Sequence, residues 1–288
     1  MEYFGPGAWQ GVDLFGPFKA AELVDPKLDA DFAALSDQLN MPVNSRPLFD
    51  DIMITSLYGN RQDLSFQLGT ADGQKPDSTQ LVADSRGSLW QYLNNHAPQH
   101  VSLVLDNAGR ELLADLLLTD YLLRSGFATD VTLHVKPLPY YVSDATTTDV
   151  GDCLRRLSLM DGRLRDTGQR IQEAAAEGRL SIATHDFYCA PLSFHHMPKE
   201  LSEDLGRGLA VFKGDLNYRR IVGDCSWEAS ASFEAASSYM PCPVVVLRTL
   251  KSDVIVGVEA ALAAQLDESD PNWRSNGKHG LIQASLTD

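Results

Sequence analysis

Four apolar runs in this chain each end abruptly in a cluster of charged and amide residues. Val101-Ser102-Leu103-Val104-Leu105 gives way to Asp106-Asn107, and Val131-Thr132-Leu133-His134-Val135 to Lys136 and then Val142-Ser143-Asp144. Leu209-Ala210-Val211-Phe212 runs into Lys213-Gly214-Asp215-Leu216-Asn217-Tyr218-Arg219, and Val244-Val245-Val246-Leu247 into Arg248-Thr249-Leu250-Lys251. Open α/β sheets bind ligands just beyond the carboxyl ends of their strands. Set side by side as parallel strands, these four would bring carboxylates, amides, Lys and Arg to one crevice. That mixture suits a divalent metal together with a phosphate.

The segments between the runs support an α/β chain. Residues 110–124 carry Leu112, Leu113, Leu116, Leu117, Tyr121 and Leu122 at helical spacing. Strand, turn, helix and strand over 101–135 therefore form a βαβ unit, whose crossover should be right-handed. Helices are also expected over 47–66, stopping at Gly59-Asn60, over 78–95, over 148–177, and as a short piece from Leu201 to Leu205. A weak strand is expected over 179–184, a loop over 185–199, helix or mixed structure over 253–265, and a last edge strand over 277–283. Residues 1–46, rich in Gly, Pro and Asp, read as an irregular arm or the remnant of a helical region, with one short helix over 28–39. Residues 47–288 show no linker or repeat and read as one domain core.

Composition narrows the function. The net charge of −15 disfavours nucleic acid, which needs a basic face. The four cysteines are far apart and form no CxxC pair, so a zinc cluster or disulfide framework is not expected. The N-terminus lacks a secretory pattern and no apolar run approaches 18 residues, so no membrane span is expected. These features point to a cytoplasmic location, with a size compatible with a nuclear pool.

Each polar cluster has a chemical and a structural reading. Asp106, Asn107 and Asp144 offer hard oxygen donors suited to Mg²⁺ or Mn²⁺ and tolerable for Co²⁺ or Ni²⁺. Asp106-Asn107 and Asp144 could equally cap the helices that follow them. Asp215 could serve as general acid or base, and Arg219 presents a planar fork that suits phosphate; an exposed turn is the alternative. Lys251 reads as a point-charge phosphate anchor or as an ordinary basic strand end. His195-His196 would point to opposite faces of a strand, so a metal pair there is not expected. The chain has no G-x-S-x-G, no Walker-type loop and no G-x-G-x-x-G.

Together the clusters resemble the metal-dependent damage-control phosphatases, in the eukaryotic subfamily marked by a C-terminal RTxK motif and also described as acidic-residue methyltransferase-like. The RTxK motif is Arg248-Thr249-Leu250-Lys251. Supporting signatures are Ser56-Leu57-Tyr58-Gly59-Asn60 with Asp63-Leu64-Ser65, Asp106-Asn107-Ala108-Gly109 with Glu111, Val142-Ser143-Asp144, and Lys213 to Arg219. The resemblance spans roughly 47–288. It implies a three-layer α/β/α sandwich with a mostly parallel sheet, preceded by helices. It implies a divalent ion (Mn, Co, Ni or Mg) on Asp106, Asn107 and Asp144. The substrate would lie against Asp106, Asn107, Asp215, Leu216, Asn217, Tyr218, Arg219 and Lys251, with Asp215 and Lys251 catalytic and Glu111, Lys136, Arg248 and Asn60 behind them. The implied reaction is hydrolysis of small sugar phosphates such as fructose 1-phosphate, a form of metabolite repair. A non-catalytic sugar-phosphate-binding protein is the alternative, and a carboxyl methyltransferase using S-adenosylmethionine a lesser one. Family members usually carry a longer helical N-terminal region, so a truncated or short member is expected. Tyr58 also stands where the family usually has Trp.

Overall fold

The computed structural model describes residues 7–8, 11–59 and 80–286, with residues 33–38 described by their backbone alone. Seven strands form one sheet: β1 (Leu81–Asp84), β2 (Gln99–Val104), β3 (Ala128–Val135), β4 (Leu180–Thr184), β5 (Leu209–Lys213), β6 (Val244–Thr249) and β7 (Gly280–Ser285). Their order is β1-β7-β6-β5-β2-β3-β4. The run β6-β5-β2-β3-β4 is parallel throughout. β7 is antiparallel to β6, and β1 pairs parallel with β7.

Alternation along the strands builds two cores. Val101 and Leu103 of β2, Leu209 and Val211 of β5, and Val245 and Leu247 of β6 face one apolar cluster. Val104, Ala210, Phe212, Val244 and Val246 face the other. The first face is covered by α3 (Arg46–Tyr58), α4 (Arg86–His96), α5 (Gly109–Arg124), α6 (Thr147–Leu159) and α7 (Gly162–Ala176). On the second face lie α8 (Lys199–Leu205), α9 (Gly214–Val222), α10 (Phe233–Ser237) and α11 (Ala260–Ser269), with Trp273 fully buried among them. The result is a three-layer α/β/α sandwich. α1 (Gly16–Leu23) and α2 (Pro26–Gln38) lie outside the first layer, α1 against α5 and α6 and α2 against α7.

Three expectations need correction. Leu81–Asp84, expected to open a helix, is the edge strand β1; its Leu81-Val82 pair suits either period, and pairing with β7 decides it. The last strand lies inside the sheet, between β1 and β6, and all six of its residues are buried. The 148–177 stretch is two helices, parted at Met160 and Asp161. No described helix is long and apolar enough to cross a membrane.

Candidate active site

From β2 the chain moves outward through β3 to β4, then returns to the other side of β2 for β5 and β6. β2 and β5 therefore flank the switch point of the sheet, where ligands of open α/β folds bind. Asp106-Asn107 follow β2 there, and Gly214-Asp215 follow β5. A shallow cleft lies between them, about 220 Å³ with the solvent-open space at its mouth counted, and Asp106, Asn107, Glu111, Asp215, Thr249 and Lys251 are on its walls.

The structure removes the capping alternatives. The N-cap of α5 is Ala108, which has no side-chain oxygen to offer. The cap of α6 is Thr146, closed into a capping box with Asp149. Asp106, Asn107 and Asp144 thus cap neither helix. A β-bridge joins Asn107 to Asp144, and the Ala145 N–H donates to the carbonyl of Asp106. The ends of β2 and β3 are held together by backbone bonds.

Asn107 donates its amide to Asp106 Oδ2 at 3.0 Å and to Glu111 Oε2 at 2.8 Å, while its Oδ1 accepts from Ser143 Oγ at 2.6 Å. Asp144 Oδ1 accepts from Lys136 Nζ, and its Oδ2 from the Tyr141 N–H at 2.6 Å. Lys136 Nζ is also 3.8 Å from Asp106 Oδ1. Burial, then the neighbouring Glu111 and Asp144 carboxylates, push Asp106 up to about 7 against the pull of Lys136 and Lys251. Burial likewise raises Glu111, with Lys213 opposing. Burial is the leading cause of both shifts, with the neighbouring carboxylates adding to it.

The RTxK strand end faces the start of α9. Arg248 is fully buried, with its guanidinium 4.3 Å from the centre of the Tyr218 ring. It donates to Asp215 Oδ1 at 2.8 Å, to Ser252 and to the Val254 carbonyl. Ser252 Oγ and the Lys251 N–H also reach Asp215 Oδ1, at 3.1 and 3.4 Å. Asp215 is clamped at one oxygen; its Oδ2 has Arg219 at 3.8 Å. Lys251 is exposed, and its ammonium makes no hydrogen bond or ion pair with the described residues. Lys213-to-Arg219 is therefore the first turns of α9 and not an exposed loop.

The expected substrate residues separate into three places. Asp106, Asn107, Asp215 and Lys251 share the cleft. Leu216 and Arg219 line a second, wider pocket. Asn217 and Tyr218 are buried behind both: Asn217 donates to the carbonyls of Lys213 and Leu105, and the Tyr218 hydroxyl exchanges hydrogen bonds with Val256. Asn60, with Asp63-Leu64-Ser65, lies outside the described residues. His195 stacks on Tyr239 at 3.5 Å, remote from the cleft lining.

Lys213 was read from sequence only as the head of its cluster, with no role of its own, and Asp115 and Lys19 were not singled out. Lys213 is 1% exposed; its ammonium meets the Ser56 carbonyl, Ser56 Oγ at 2.9 Å and Asp115 Oδ1 at 2.8 Å. Asp115 sits one helical turn beyond Glu111, which would have placed it on the same face. Lys19, from α1, donates to the Asp144 carbonyl at 2.6 Å and to Asp149 Oδ2 at 2.8 Å. No local signal links it to residues so distant in sequence.

Among the described residues no three His, Cys, Asp or Glu side chains form a metal-binding group. The strand-end set is instead two carboxylates and one amide. Such a set fits a hard divalent ion that retains waters and takes further oxygens from a bound phosphate. Asp106, buried beside the Glu111 and Asp144 carboxylates, is consistent with that fit.

The family model for the damage-control phosphatase ARMT1-like domain matches residues 2–266. The chain is 33% identical over 265 residues to damage-control phosphatase ARMT1 of Danio rerio, covering 84% of this chain and 59% of that one. It is 32% identical over 256 residues to the Homo sapiens protein of the same name, covering 82% and 58%. The chain thus spans a little under three fifths of these curated relatives. The crystal structure of a DUF89 family protein from Pyrococcus horikoshii superposes with a TM-score of 0.50 at 13% identity, over 95% of this chain and 75% of that one. At that identity the likeness concerns the fold.

Proposed function

The chain belongs to the damage-control phosphatase ARMT1-like family, and from that premise we propose that it is a metal-dependent phosphatase of small sugar phosphates, of the fructose 1-phosphate kind. The observation that carries the reading is the exposed Lys251, which shares one cleft with Asp106 and Asn107 at the sheet's switch point and whose ammonium has no ion pair among the described residues. A lysine whose ammonium is free among the described residues, beside carboxylates that it stabilises, suits an anion that brings its own counter-ion.

A divalent ion (Mn, Co, Ni or Mg) on Asp106, Asn107 and Asp144 would supply neutralisation of phosphate charge and a more acidic water. Lys251 would meet a phosphate oxygen, and the open N-terminus of α9 would add backbone N–H groups on the same anion. Arg248 would keep Asp215 oriented, since a buried guanidinium with several partners cannot swing away. We assign proton transfer to Asp215 Oδ2, the oxygen that Arg248 does not occupy. Lys136 and Glu111 would hold Asp144 and Asn107 in place. The catalytic effect would be positioning plus electrostatics, the usual sources in phosphoryl transfer. Small phosphorylated sugars would be the partners, in the cytoplasm.

The test compares wild type with Asp106→Ala. Wild type should bind Mn²⁺ in calorimetric titration and release phosphate. The variant should remain folded by circular dichroism, lose metal binding and lose turnover. Full activity in Asp106→Ala would overturn the ligand assignment.

A further inference from the structure

Lys213, the last residue of β5, is 1% exposed and does not line the cleft. Its ammonium joins β5 to two helices. It donates to the Ser56 carbonyl, and to Ser56 Oγ at 2.9 Å, near the end of α3. It lies 2.8 Å from Asp115 Oδ1 and 3.9 Å from Glu111 Oε1, both on α5. Ser56 Oγ in turn donates to Asp115 Oδ1 at 2.6 Å. Burying an ammonium among carboxylates is costly, and well-packed apolar side chains often serve stability as well or better. Stability alone is therefore a weak reason for a cation here.

The cluster reaches the cleft through Glu111. One of its oxygens faces Lys213, and the other accepts from the Asn107 amide at 2.8 Å. The two ends of an asparagine side chain are nearly equal in size, so hydrogen bonding and not shape decides which way the amide points. Asn107 Nδ2 meets two carboxylates, Glu111 and, at 3.0 Å, Asp106. Its Oδ1 meets the Ser143 hydroxyl at 2.6 Å. That hydroxyl can donate or accept, so it tolerates either direction of the amide. Asp106 is itself an assigned metal ligand. Glu111 is thus the acceptor left to set the direction. A flipped amide would press its oxygen against two carboxylates and turn N–H groups toward the cation, where only an oxygen can coordinate.

We propose that Lys213 is a positioning residue for the metal: by holding Glu111 in place it fixes the Asn107 amide so that Oδ1, and not Nδ2, is the end offered to the cation. This rests on the reading of Asp106, Asn107 and Asp144 as metal ligands. Lys213 touches neither the cation nor the substrate. It acts in series, through Glu111 and then Asn107.

The experiment is a double-mutant cycle on Mn²⁺ affinity, measured by calorimetry on wild type, Glu111→Gln, Lys213→Met and the double variant. Glu111→Gln keeps the size of the side chain and can turn its own N–H groups toward Asn107, which removes the directional preference. Each single change should weaken Mn²⁺ binding about tenfold, the lower end of what losing an outer-shell partner costs. Because the two act in series, the double variant should also stay near tenfold. A loss near a hundredfold, the product of the two, would mean independent effects and would overturn the proposal. Lys213→Gln, which keeps a donor for the Ser56 carbonyl, replaces Lys213→Met if that variant does not fold. A second readout needs no metal: hydrogen exchange of the Asn107 side-chain amide, followed by NMR, should be faster in Glu111→Gln than in wild type. Unchanged exchange and unchanged Mn²⁺ affinity in Glu111→Gln would overturn the proposal and leave the ligand assignment standing. Wild type that binds no Mn²⁺ would overturn the ligand assignment, and this proposal with it.

Discussion

Lys19 Nζ lies 2.6 Å from the backbone carbonyl of Asp144, and the same ammonium is 2.8 Å from Asp149 Oδ2. α1 thereby braces the turn that carries a strand-end carboxylate into the candidate site. Lys19 is 6% exposed, so removing its charge leaves buried acceptors behind. Lys19→Met should destabilise the fold by about 3 kcal/mol and weaken Mn²⁺ binding, with Lys19→Arg recovering part of both. Urea unfolding and calorimetric metal titration read the two effects separately. Unchanged metal affinity in a folded Lys19→Met would confine Lys19 to stability.

Lys251 and Arg248 share a motif but should fail differently. Lys251 is exposed and makes no ion pair with the described residues. Lys251→Ala should leave stability within about 0.5 kcal/mol and lower kcat/KM by about 100-fold, the scale of one lost transition-state donor. Arg248→Ala removes a fully buried guanidinium from Asp215 and Tyr218, which should cost about 3 kcal/mol or more. Thermal unfolding beside steady-state kinetics separates them.

Gly214 has φ of +87°, and a Cβ there would stand 1.9 Å from Asp106 Oδ2. Both the backbone angle and the space forbid a side chain. Gly214→Ala should destabilise the protein by more than about 1 kcal/mol and displace the Asp106 carboxylate. Metal binding measured on the folded fraction should weaken; wild-type affinity would show that Asp106 is not held as described.

His134 is buried on β3, edge-on to Tyr188 at 5.8 Å. Burial pulls its pKa down to about 4, with Asp204 opposing. Unfolded, the imidazole takes its proton near pH 6.5. Between those values the unfolded chain binds more protons, so stability falls as pH falls. The contribution is fully present above about pH 6.5 and is lost progressively toward pH 4. His134→Leu should show a shallower decline than wild type over that window in urea unfolding. Parallel declines would contradict the assignment.

Much of this was legible in the sequence. The four strands that form the site, β2, β3, β5 and β6, are β-branched or leucine-rich runs; their polar ends converge only if the strands are neighbours, and the sheet order meets that condition. β1 and β7 were harder. Leu81-Val82-Ala83-Asp84 is too short for its period to be read, and Gly280–Ser285 became an inner strand through pairings with residues far away in sequence. For the Lys213–Arg219 cluster an exposed turn was the alternative reading, because its apolar side chains, Leu216 and Tyr218, are few; it is the start of a helix whose Tyr218 and Ile221 are buried in the core, with Arg248 over the Tyr218 ring. Lys19 carried no sequence signal for the site, because Asp144 and Asp149 lie over a hundred residues away and only the fold brings them to it.

The most direct measurement is phosphate release from fructose 1-phosphate by protein stripped with EDTA, then reloaded with Mn²⁺, Co²⁺, Ni²⁺ or Mg²⁺. The phosphatase reading predicts that EDTA stops release, that one or more of these ions restores it, and that Asp106→Ala stays inactive under every ion. Release that persists in EDTA would contradict the metal-dependent reading. No release from the folded, metal-loaded protein on any small sugar phosphate would contradict the phosphatase itself.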